Sequence, residues 1–450
     1  MNVVIVGGGL VGSTLAGKLA RDGYDVTLVE QDAVKVSDLA DHLDVQVING
    51  NGAGAPVLRR AGIERADLLV ATSNSGEFNM VVGLLGTSLF KVPRVVIRLR
   101  DPELAEGFGL ISKDHPTDYV QVDPDRAAVE RIVSLLEVPG AVDMVPFLDG
   151  RVLLAGFRMS AASDFVGLTL SHIRLMFPAA AALVAAIQRG DDWIIPHGDE
   201  EIRAGDLVYF AVLRGELDNV LSLIDAEAER RHRVMIAGAS RIGLELARRL
   251  EELSVQVVLV EESKDLARKA EEALSRTLVV CGPVTERELL EEEDIGRVST
   301  FVAVTPDHEV NLVAGLLAKR LGAHRVFAMV DNPALANLIG EIGIDAVISP
   351  RSLAVGLMLQ HIRRGRILSA AALLEDKVEV VEAEALAGSR LTSGPLAEIG
   401  LPRGVLVAAL ARGESLLMPQ GGDSVQAGDE VLIITTSERA KSLDDYLTAS

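Results

Sequence analysis

The stretch Val3-Val4-Ile5-Val6-Gly7-Gly8-Gly9-Leu10-Val11-Gly12 places four consecutive apolar residues directly before a glycine-rich turn. An apolar run without alternation fits a strand covered on both faces, as in a parallel sheet flanked by helices. The glycines are spaced G-x-G-x-x-G between that strand and an amphipathic stretch, and Glu30 closes the next apolar run. Gly7 admits a tight turn, Gly9 lets a diphosphate approach the backbone, and Gly12 lets the helix pack closely on the strand. Free amides at the helix start then face the phosphates, and the Glu30 carboxylate accepts from the ribose hydroxyls. Gly8, Leu10 and Val11 complete the loop. That these glycines serve only helix packing is disfavoured by the strand, helix and acid standing together. Glu30 would repel a 2′-phosphate, which disfavours NADP, whereas NAD, ADP and ATP all present a free adenosine ribose and stay open.

Outward from this turn, short β-branched runs at 3–6, 26–29, 45–48, 68–71 and 95–98 alternate with helical stretches at 10–22, 34–42, 57–61 and 77–89. Such a βαβ series predicts a doubly wound parallel sheet. Arg98 and Arg100, at and just after the end of the fifth run, either carry charge to the phosphates from the opposite lip of the crevice or are solvated surface residues.

The second half restates the first. Val234-Met235-Ile236-Ala237-Gly238-Ala239-Ser240-Arg241-Ile242-Gly243 matches the opening stretch at a displacement of 231, and Val257-Val258-Leu259-Val260-Glu261 matches the run ending in Glu30. Thr72, Glu77 and Asn79 return as Thr305, Glu309 and Asn311, with the spacing after the threonine shortened by one. A further block has another displacement: Arg189-Gly190, Pro196 and Ala204-Gly205-Asp206 match Arg412-Gly413, Pro419 and Ala427-Gly428-Asp429 at 223. Each half therefore holds two modules, α/β overall: Rossmann-like lobes over 1–137 and 231–365, and small α+β lobes over 138–230 and 366–450. In the second Rossmann-like lobe Ser240 stands where the middle glycine would be. Gly238, Ser240, Arg241, Ile242, Gly243 and Glu261 thus form either a second nucleotide site or a structural pseudo-site.

The chain has 450 residues and a formal net charge of −21, from 44 Lys+Arg against 65 Asp+Glu. That balance gives no electrostatic reason to approach nucleic acid. No apolar run nears the ~20 residues that span a bilayer, and the first residues enter a strand directly, so a cytoplasmic location is expected. The single cysteine, Cys281, leaves no intramolecular disulfide and reads as a buried small residue. The eight histidines are scattered, no metal-ligand spacing or catalytic triad motif occurs, and no catalytic or metal-binding residue is nominated. A nucleotide-binding sensor is favoured over the alternative, an NAD-dependent oxidoreductase, whose acid–base residue cannot be named.

The residues resemble the TrkA family, cytoplasmic regulatory subunits of bacterial Trk potassium-uptake systems built from two tandem RCK units. The resemblance is carried by Gly7–Gly12 and Glu30, Ala71-Thr72 with Glu77-Phe78-Asn79, Leu99-Arg100-Asp101-Pro102, Val122-Asp123-Pro124, Ala303-Val304-Thr305 with Glu309-Val310-Asn311, and Ile348-Ser349-Pro350. It implies a non-enzymatic, ring-forming protein, a tetramer, at the inner face of the membrane beneath a transmembrane Trk-type potassium transporter subunit. NAD(H), ADP or ATP in the Rossmann lobes would shift the ring and so the pore. Carried over with it as binding positions are Gly7, Gly9, Gly12, Glu30, Asn49, Gly50, Asn51, Thr72, Ser73, Arg98 and Arg100. Asn51 stands where the family usually has Asp, and Pro283 where the second half would. Helices at 126–137 and 352–363 would link the lobes and pair neighbouring units.

Overall fold

The computed structural model describes residues 1–112, 117–176, 182–190, 192–223, 233–331, 343–362, 377–436, 439 and 443–447, and the backbone of 367–373. Module boundaries expected near 230 and 365 lie outside the described residues.

Strands β1 (Asn2–Val6), β2 (Asp25–Glu30), β3 (Gln46–Asn49), β4 (Leu68–Ala71), β5 (Arg94–Arg98) and β6 (Asp118–Val122) form one sheet in the order β3-β2-β1-β4-β5-β6. All pairings are parallel. Helices α1 (Leu10–Arg21), α2 (Ala33–His42), α3 (Ala55–Arg60), α4 (Gly76–Leu84), α5 (Pro102–Ser112) and α6 (Pro124–Glu137) follow the strands in turn. The order reverses between β1 and β4, which opens a crevice beyond their carboxyl ends. The helix expected over 77–89 is α4 followed by one wide turn at Leu85–Leu89.

After this lobe come β7 (Ala141–Phe147), β8 (Val152–Arg158), α7 (Leu170–Met176), β9 (Ala182–Arg189), β10 (Asp192–Ile194), β11 (Leu207–Leu213) and α8 (Leu217–Leu223). Their sheet is antiparallel, in the order β10-β9-β11-β8-β7. The second half repeats both modules. Strands β12 (Arg233–Ala237), β13 (Gln256–Glu261), β14 (Leu278–Cys281), β15 (Thr300–Ala303), β16 (Arg325–Met329) and β17 (Ala346–Ile348) have the order β14-β13-β12-β15-β16-β17. The helices are α9 (Arg241–Glu252), α10 (Lys264–Ala273), α11 (Arg287–Glu292), α12 (His308–Arg320) and α13 (Pro350–Ile362). Strands β18 (Ile367–Leu373), β19 (Val378–Glu384), β20 (Val405–Arg412), β21 (Ser415–Leu417) and β22 (Glu430–Thr436) complete the last sheet, in the order β18-β19-β22-β20-β21.

The halves interlock. The apolar face of α6, with Ala128, Val129, Ile132 and Val133, shares a core with Ile242, Leu246 and Leu250 of α9. Reciprocally, Ala354, Val355, Met358 and Leu359 of α13 share a core with Leu15 and Leu19 of α1. Each half's last Rossmann helix thus buries itself on the other half's first helix. The two small sheets also pack together, with Leu154, Ala186 and Tyr209 against Val380, Ala409 and Leu432.

The repeated Arg…Gly-Asp block has a structural basis. Arg189 grips Asp206 with Nε and Nη2 at 3.0 and 2.8 Å, and Arg412 grips Asp429 at 2.9 and 2.7 Å. Each aspartate also accepts from a backbone amide three residues earlier, Arg203 and Gln426. Gly205 and Gly428 take φ of +88° and +87° in the intervening turns.

Two readings of the sequence are corrected. Thr72 and Val304 hold the same place, their amides donating to Val6 and Ala237 at 2.9 Å each. Ser73, not Thr72, therefore pairs with Thr305, each amide donating to the Asn79 or Asn311 side chain at 2.9 Å, and no spacing is lost. Cys281 is exposed rather than buried: it is the last residue of the edge strand β14, which has a neighbouring strand, β13, on one side only.

Candidate functional site

The turn after β1 is built as its glycines require. Gly7 has φ +109°, and a Cβ there would stand 2.9 Å from the Ser73 amide nitrogen. At Gly12 a Cβ would stand 1.9 Å from the Gly7 carbonyl oxygen, so only glycine lets α1 lie this close to the turn. Gly8 serves the acid: its amide donates to Glu30 Oε2 at 2.7 Å, and the Asp32 amide donates to Oε1 at 2.9 Å. Each carboxylate oxygen keeps further acceptor capacity, and the group is fixed in place at the end of β2. Gly9 is the N-cap of α1 and provides no side-chain cap, and a Cβ there would meet nothing within 4 Å. The first amides of a 12-residue helix are therefore left open.

They open onto a cleft of about 560 Å³ at the crevice between β1 and β4. Of the residues expected from the sequence, it brings together Gly7, Gly9, Leu10, Val11, Glu30, Gly50, Thr72, Ser73, Arg98 and Arg100. Gly8, Gly12, Asn49 and Asn51 stand behind it. Asn49 Nδ2 donates to the carbonyls of Glu30 and Gln31 at 3.2 Å each, and Asn51 Oδ1 accepts from the Ala53 amide at 2.9 Å, so both shape loops.

Arg98 is the buried cation of the site, 7% exposed. Its Nη1 donates to Asn74 Oδ1 at 3.1 Å, while its buried Nε has no hydrogen-bond partner among the described residues. Burial, then the neighbouring Arg100, lowers the Arg98 pKa from the ordinary arginine value. Arg100 lies 3.6 Å from Asp125 and is half-exposed. Asn79 ties this wall together, its Nδ2 donating to the carbonyls of Ser73 and Arg98 at 2.8 and 2.9 Å. Uncapped amides and a fixed carboxylate on one lip, with two arginines on the other, can hold an anionic group attached to a sugar diol.

The sequence reading missed Lys35, Gly52, Asn74, Ser75 and Phe78 on the lining, and also Asp331, Pro350 and Arg351 from the other half. Lys35, close after Glu30, and the Asn74-Ser75 loop after β4 lie where the fold places ligand contacts; the last three carry no local signal.

The second half has the same frame with different chemistry. Gly238 has φ +106°, and a Cβ on Gly243 would stand 2.0 Å from the Gly238 carbonyl oxygen. Glu261 accepts from the amides of Ala239 and Ser263 at 2.6 and 2.9 Å. Ser240, however, caps α9 itself: its Oγ accepts from the Gly243 amide at 3.3 Å and donates to the Val304 carbonyl at 2.8 Å. Ile242 is buried in the core with α6. Arg241 reaches Asp123 at 2.6 Å and lies 3.9 Å from Asp125, both of the first half. At the places corresponding to Arg98 and Arg100 stand Met329, the last residue of β16, and Asp331.

Two interlocked Rossmann lobes, one with an open anion-receptive cleft, define a duplicated nucleotide-fold protein of the α/β class. Family models for the TrkA-N domain match residues 3–115 and 234–350, and those for the TrkA-C domain match 154–225 and 380–448. The chain belongs to the TrkA family. It is 35% identical to the Trk system potassium uptake protein TrkA of Azorhizobium caulinodans, covering 100% of this chain and 99% of that one. Identity to the protein of the same name from Halomonas elongata is also 35%, over 98% and 96% of the two chains. Among solved structures, the GsuK RCK domain superposes with a TM-score of 0.62 at 20% identity, covering 99% of this chain and 94% of that one. The GsuK channel bound to NAD gives 0.61 at 19%, covering 99% and 78%. At these identities the likeness is one of fold. Among the described residues, no helix is long and apolar enough to cross a membrane.

Proposed function

We propose that this protein is the regulatory subunit of a Trk-type potassium-uptake system and senses an adenine nucleotide in its first Rossmann lobe without turning it over. The observation that carries the reading is the uncapped N-terminus of α1, opening onto the cleft that holds Glu30, Arg98 and Arg100. Glu30 sits where it accepts from the adenosine ribose and repels a 2′-phosphate, so NAD(H), ADP and ATP are ligands and NADPH is not. The names of the TrkA relatives support the potassium-uptake role. In this reading the chain assembles into a ring, a tetramer, on the cytoplasmic face of a transmembrane transporter subunit, and nucleotide occupancy shifts the ring and hence the pore. Gly7–Gly12, Glu30, Gly50, Thr72, Ser73, Arg98 and Arg100 form the site, with Asn49 and Asn51 holding its loops. In the second half, Gly238, Ser240, Arg241, Ile242, Gly243 and Glu261 serve as a structural counterpart, because Ser240 caps its own helix and Arg241 is engaged by Asp123.

Calorimetric titration of the full chain with ATP, ADP, NADH, NAD and NADPH tests this, beside Glu30→Ala and with absorbance at 340 nm followed for turnover. The expected result is binding of ATP, ADP or NADH at one site per chain, lost in the variant, with NADPH excluded. Turnover of the nicotinamide would establish the oxidoreductase alternative instead.

A further inference from the structure

The first cleft is not closed by its own lobe. Asp331, Pro350 and Arg351, which line it, belong to the second Rossmann lobe, Pro350 and Arg351 opening α13. Asp331 fixes that helix start: its Oδ1 accepts from the Ser349 hydroxyl at 2.7 Å and from the Arg351 amide at 3.2 Å. Arg351 Nη2 donates to Thr14 Oγ1 at 2.6 Å, and that hydroxyl donates to the Leu10 carbonyl at 2.7 Å. A neutral hydroxyl is a weak partner for a guanidinium. Among the described residues no carboxylate forms an ion pair with Arg351, although the chain carries 65 acidic residues. Arg98, Arg100 and Arg351 therefore converge on one cleft, with the buried Arg98 Nε unpartnered among the described residues.

The pseudo-symmetric position sharpens the contrast. Asp123-Pro124-Asp125 opens α6 as Ser349-Pro350-Arg351 opens α13, so the residue corresponding to Arg351 is Asp125. The first half therefore offers the second lobe two carboxylates, which Arg241 engages. The second half offers the first lobe a cation that, among the described residues, no carboxylate pairs with. We infer that Arg351 is a nucleotide ligand supplied from across the pseudo-dyad, binding the distal phosphate of a nucleoside di- or triphosphate, or the diphosphate of a dinucleotide, in the first cleft. On binding, its guanidinium exchanges the Thr14 hydroxyl for a phosphate oxygen. Ligand occupancy then ties the start of α13 to the first lobe, and α13 packs against β18, so the second half is coupled to the nucleotide site of the first lobe.

This inference rests on the nucleotide-sensor reading, and its test separates the two. The full chain, Arg351→Gln and Thr14→Val are titrated with AMP, ADP and ATP, with the melting temperature of each ligand-free protein as a check on folding. Loss of one charge-assisted phosphate contact lowers affinity about tenfold or more. The expected result is that loss for ADP or ATP in Arg351→Gln, a smaller effect on AMP, and unchanged or tighter binding in Thr14→Val, which frees the arginine. Wild-type affinity for ATP and ADP in Arg351→Gln would overturn the assignment while leaving the sensor reading intact. Equal losses in both variants would make the Arg351–Thr14 pair a structural strut and overturn it as well. Absence of nucleotide binding by the unaltered chain would overturn the sensor reading and the inference together.

Discussion

Arg325 holds the junction between the two halves, and its removal has a cost that can be worked from contacts. From the start of β16 its guanidinium reaches the end of α6 in the first half. Nη1 donates to the carbonyls of Leu135 and Val138 at 3.0 and 3.4 Å, and Nη2 donates to that of Ala141 at 2.6 Å. The guanidinium also lies 4.7 Å over the Phe327 ring. Desolvation on burial pulls the Arg325 pKa down to about 10, only partly offset by Asp345, so the group stays charged at neutral pH. Carbonyls at a helix C-terminus have no intrahelical donor and carry the negative end of the dipole. Arg325→Met keeps the aliphatic stem and takes the guanidinium away from the Leu135 and Ala141 carbonyls, while the Val138 carbonyl still accepts from the Ala141 amide at 3.3 Å. Two short charge-assisted bonds at ~1.5–3 kcal/mol each, reduced because the side chain is only partly buried and because the desolvation of the arginine is recovered, leave a loss of about 2–4 kcal/mol. Trp193, the sole tryptophan, stands in β10 with its ring 5.7 Å from Tyr209, so its fluorescence during urea unfolding reports the small lobe that follows α6. At ~1–3 kcal/mol per molar urea the midpoint falls by about 1 M. The control is Arg94→Met at the corresponding place in β5, where one carbonyl, His361 at 2.6 Å, and a half-exposed Asp118 at 2.7 Å are contacted. That variant should lose about 1 kcal/mol or less. An Arg325→Met midpoint equal to that of the unaltered chain, or to that of Arg94→Met, would refute the reasoning.

Two further outcomes follow from the geometry. Gly12→Ala places a Cβ 1.9 Å from the Gly7 carbonyl oxygen, a backbone atom that cannot yield without moving the turn, so nucleotide binding is expected to vanish and the melting temperature to drop by several degrees, read by calorimetry and thermal denaturation. Asp429 is 2% exposed, and its hydrogen bond from Arg412 holds its pKa below the ordinary carboxylate value. A lowered carboxylate pKa means the unfolded chain binds the proton more readily, so this stabilisation is present above about pH 4 and fades as pH falls through the folded-state value. Urea titrations should therefore show Asp429→Asn less stable by ~2–4 kcal/mol at pH 7, with the gap narrowing below pH 4; a gap independent of pH would show that the charge is not responsible.

What could be read from the sequence followed from how locally each feature is determined. Strands β1, β2, β4 and β5 are visible to within a residue or so because both faces are covered, and burial then writes an unbroken apolar run. Strand β6, Asp-Tyr-Val-Gln-Val, lies at the sheet edge with mixed burial and does not stand out, and β10 and β21 have three residues each. The Arg189–Asp206 and Arg412–Asp429 pairs were visible only as a repeat; that they are ion pairs needs the strands that bring residues 17 apart into contact. In the site, the turn and Glu30 form one continuous motif and were legible. Arg351 donates to a residue 337 positions away, and no local pattern reports which surface a helix start will face after docking.

The distribution of differences between the halves bears on why a duplicated lobe retains so much of its frame. Apart from Glu30 and Glu261, the site positions that agree are those the backbone itself demands. Gly12 and Gly243 face a carbonyl at 1.9 and 2.0 Å from any Cβ, Gly7 and Gly238 share a positive φ, and Asn79 and Asn311 each accept from the amide six residues earlier at 2.9 Å. Positions that differ are those whose side chains face the crevice or the partner lobe. Gly9 becomes Ser240, which closes its own helix; Arg98 becomes Met329, Arg100 becomes Asp331, and Asp125 becomes Arg351. These three charged exchanges shift positive charge toward the first cleft and away from the second; Leu10 becoming Arg241 runs the other way, and that arginine is engaged by Asp123 and Asp125. Asp331 shows how one residue serves both effects: it stands where a cation would be in the second crevice, and by accepting from Ser349 and the Arg351 amide it fixes the helix start that presents Arg351 to the first. A lobe kept only as scaffold would need the shared frame but not this ordered sorting of charge. A lobe that supplies a ligand to its neighbour's site needs both, because the frame sets where α13 begins and the charge determines what it offers there.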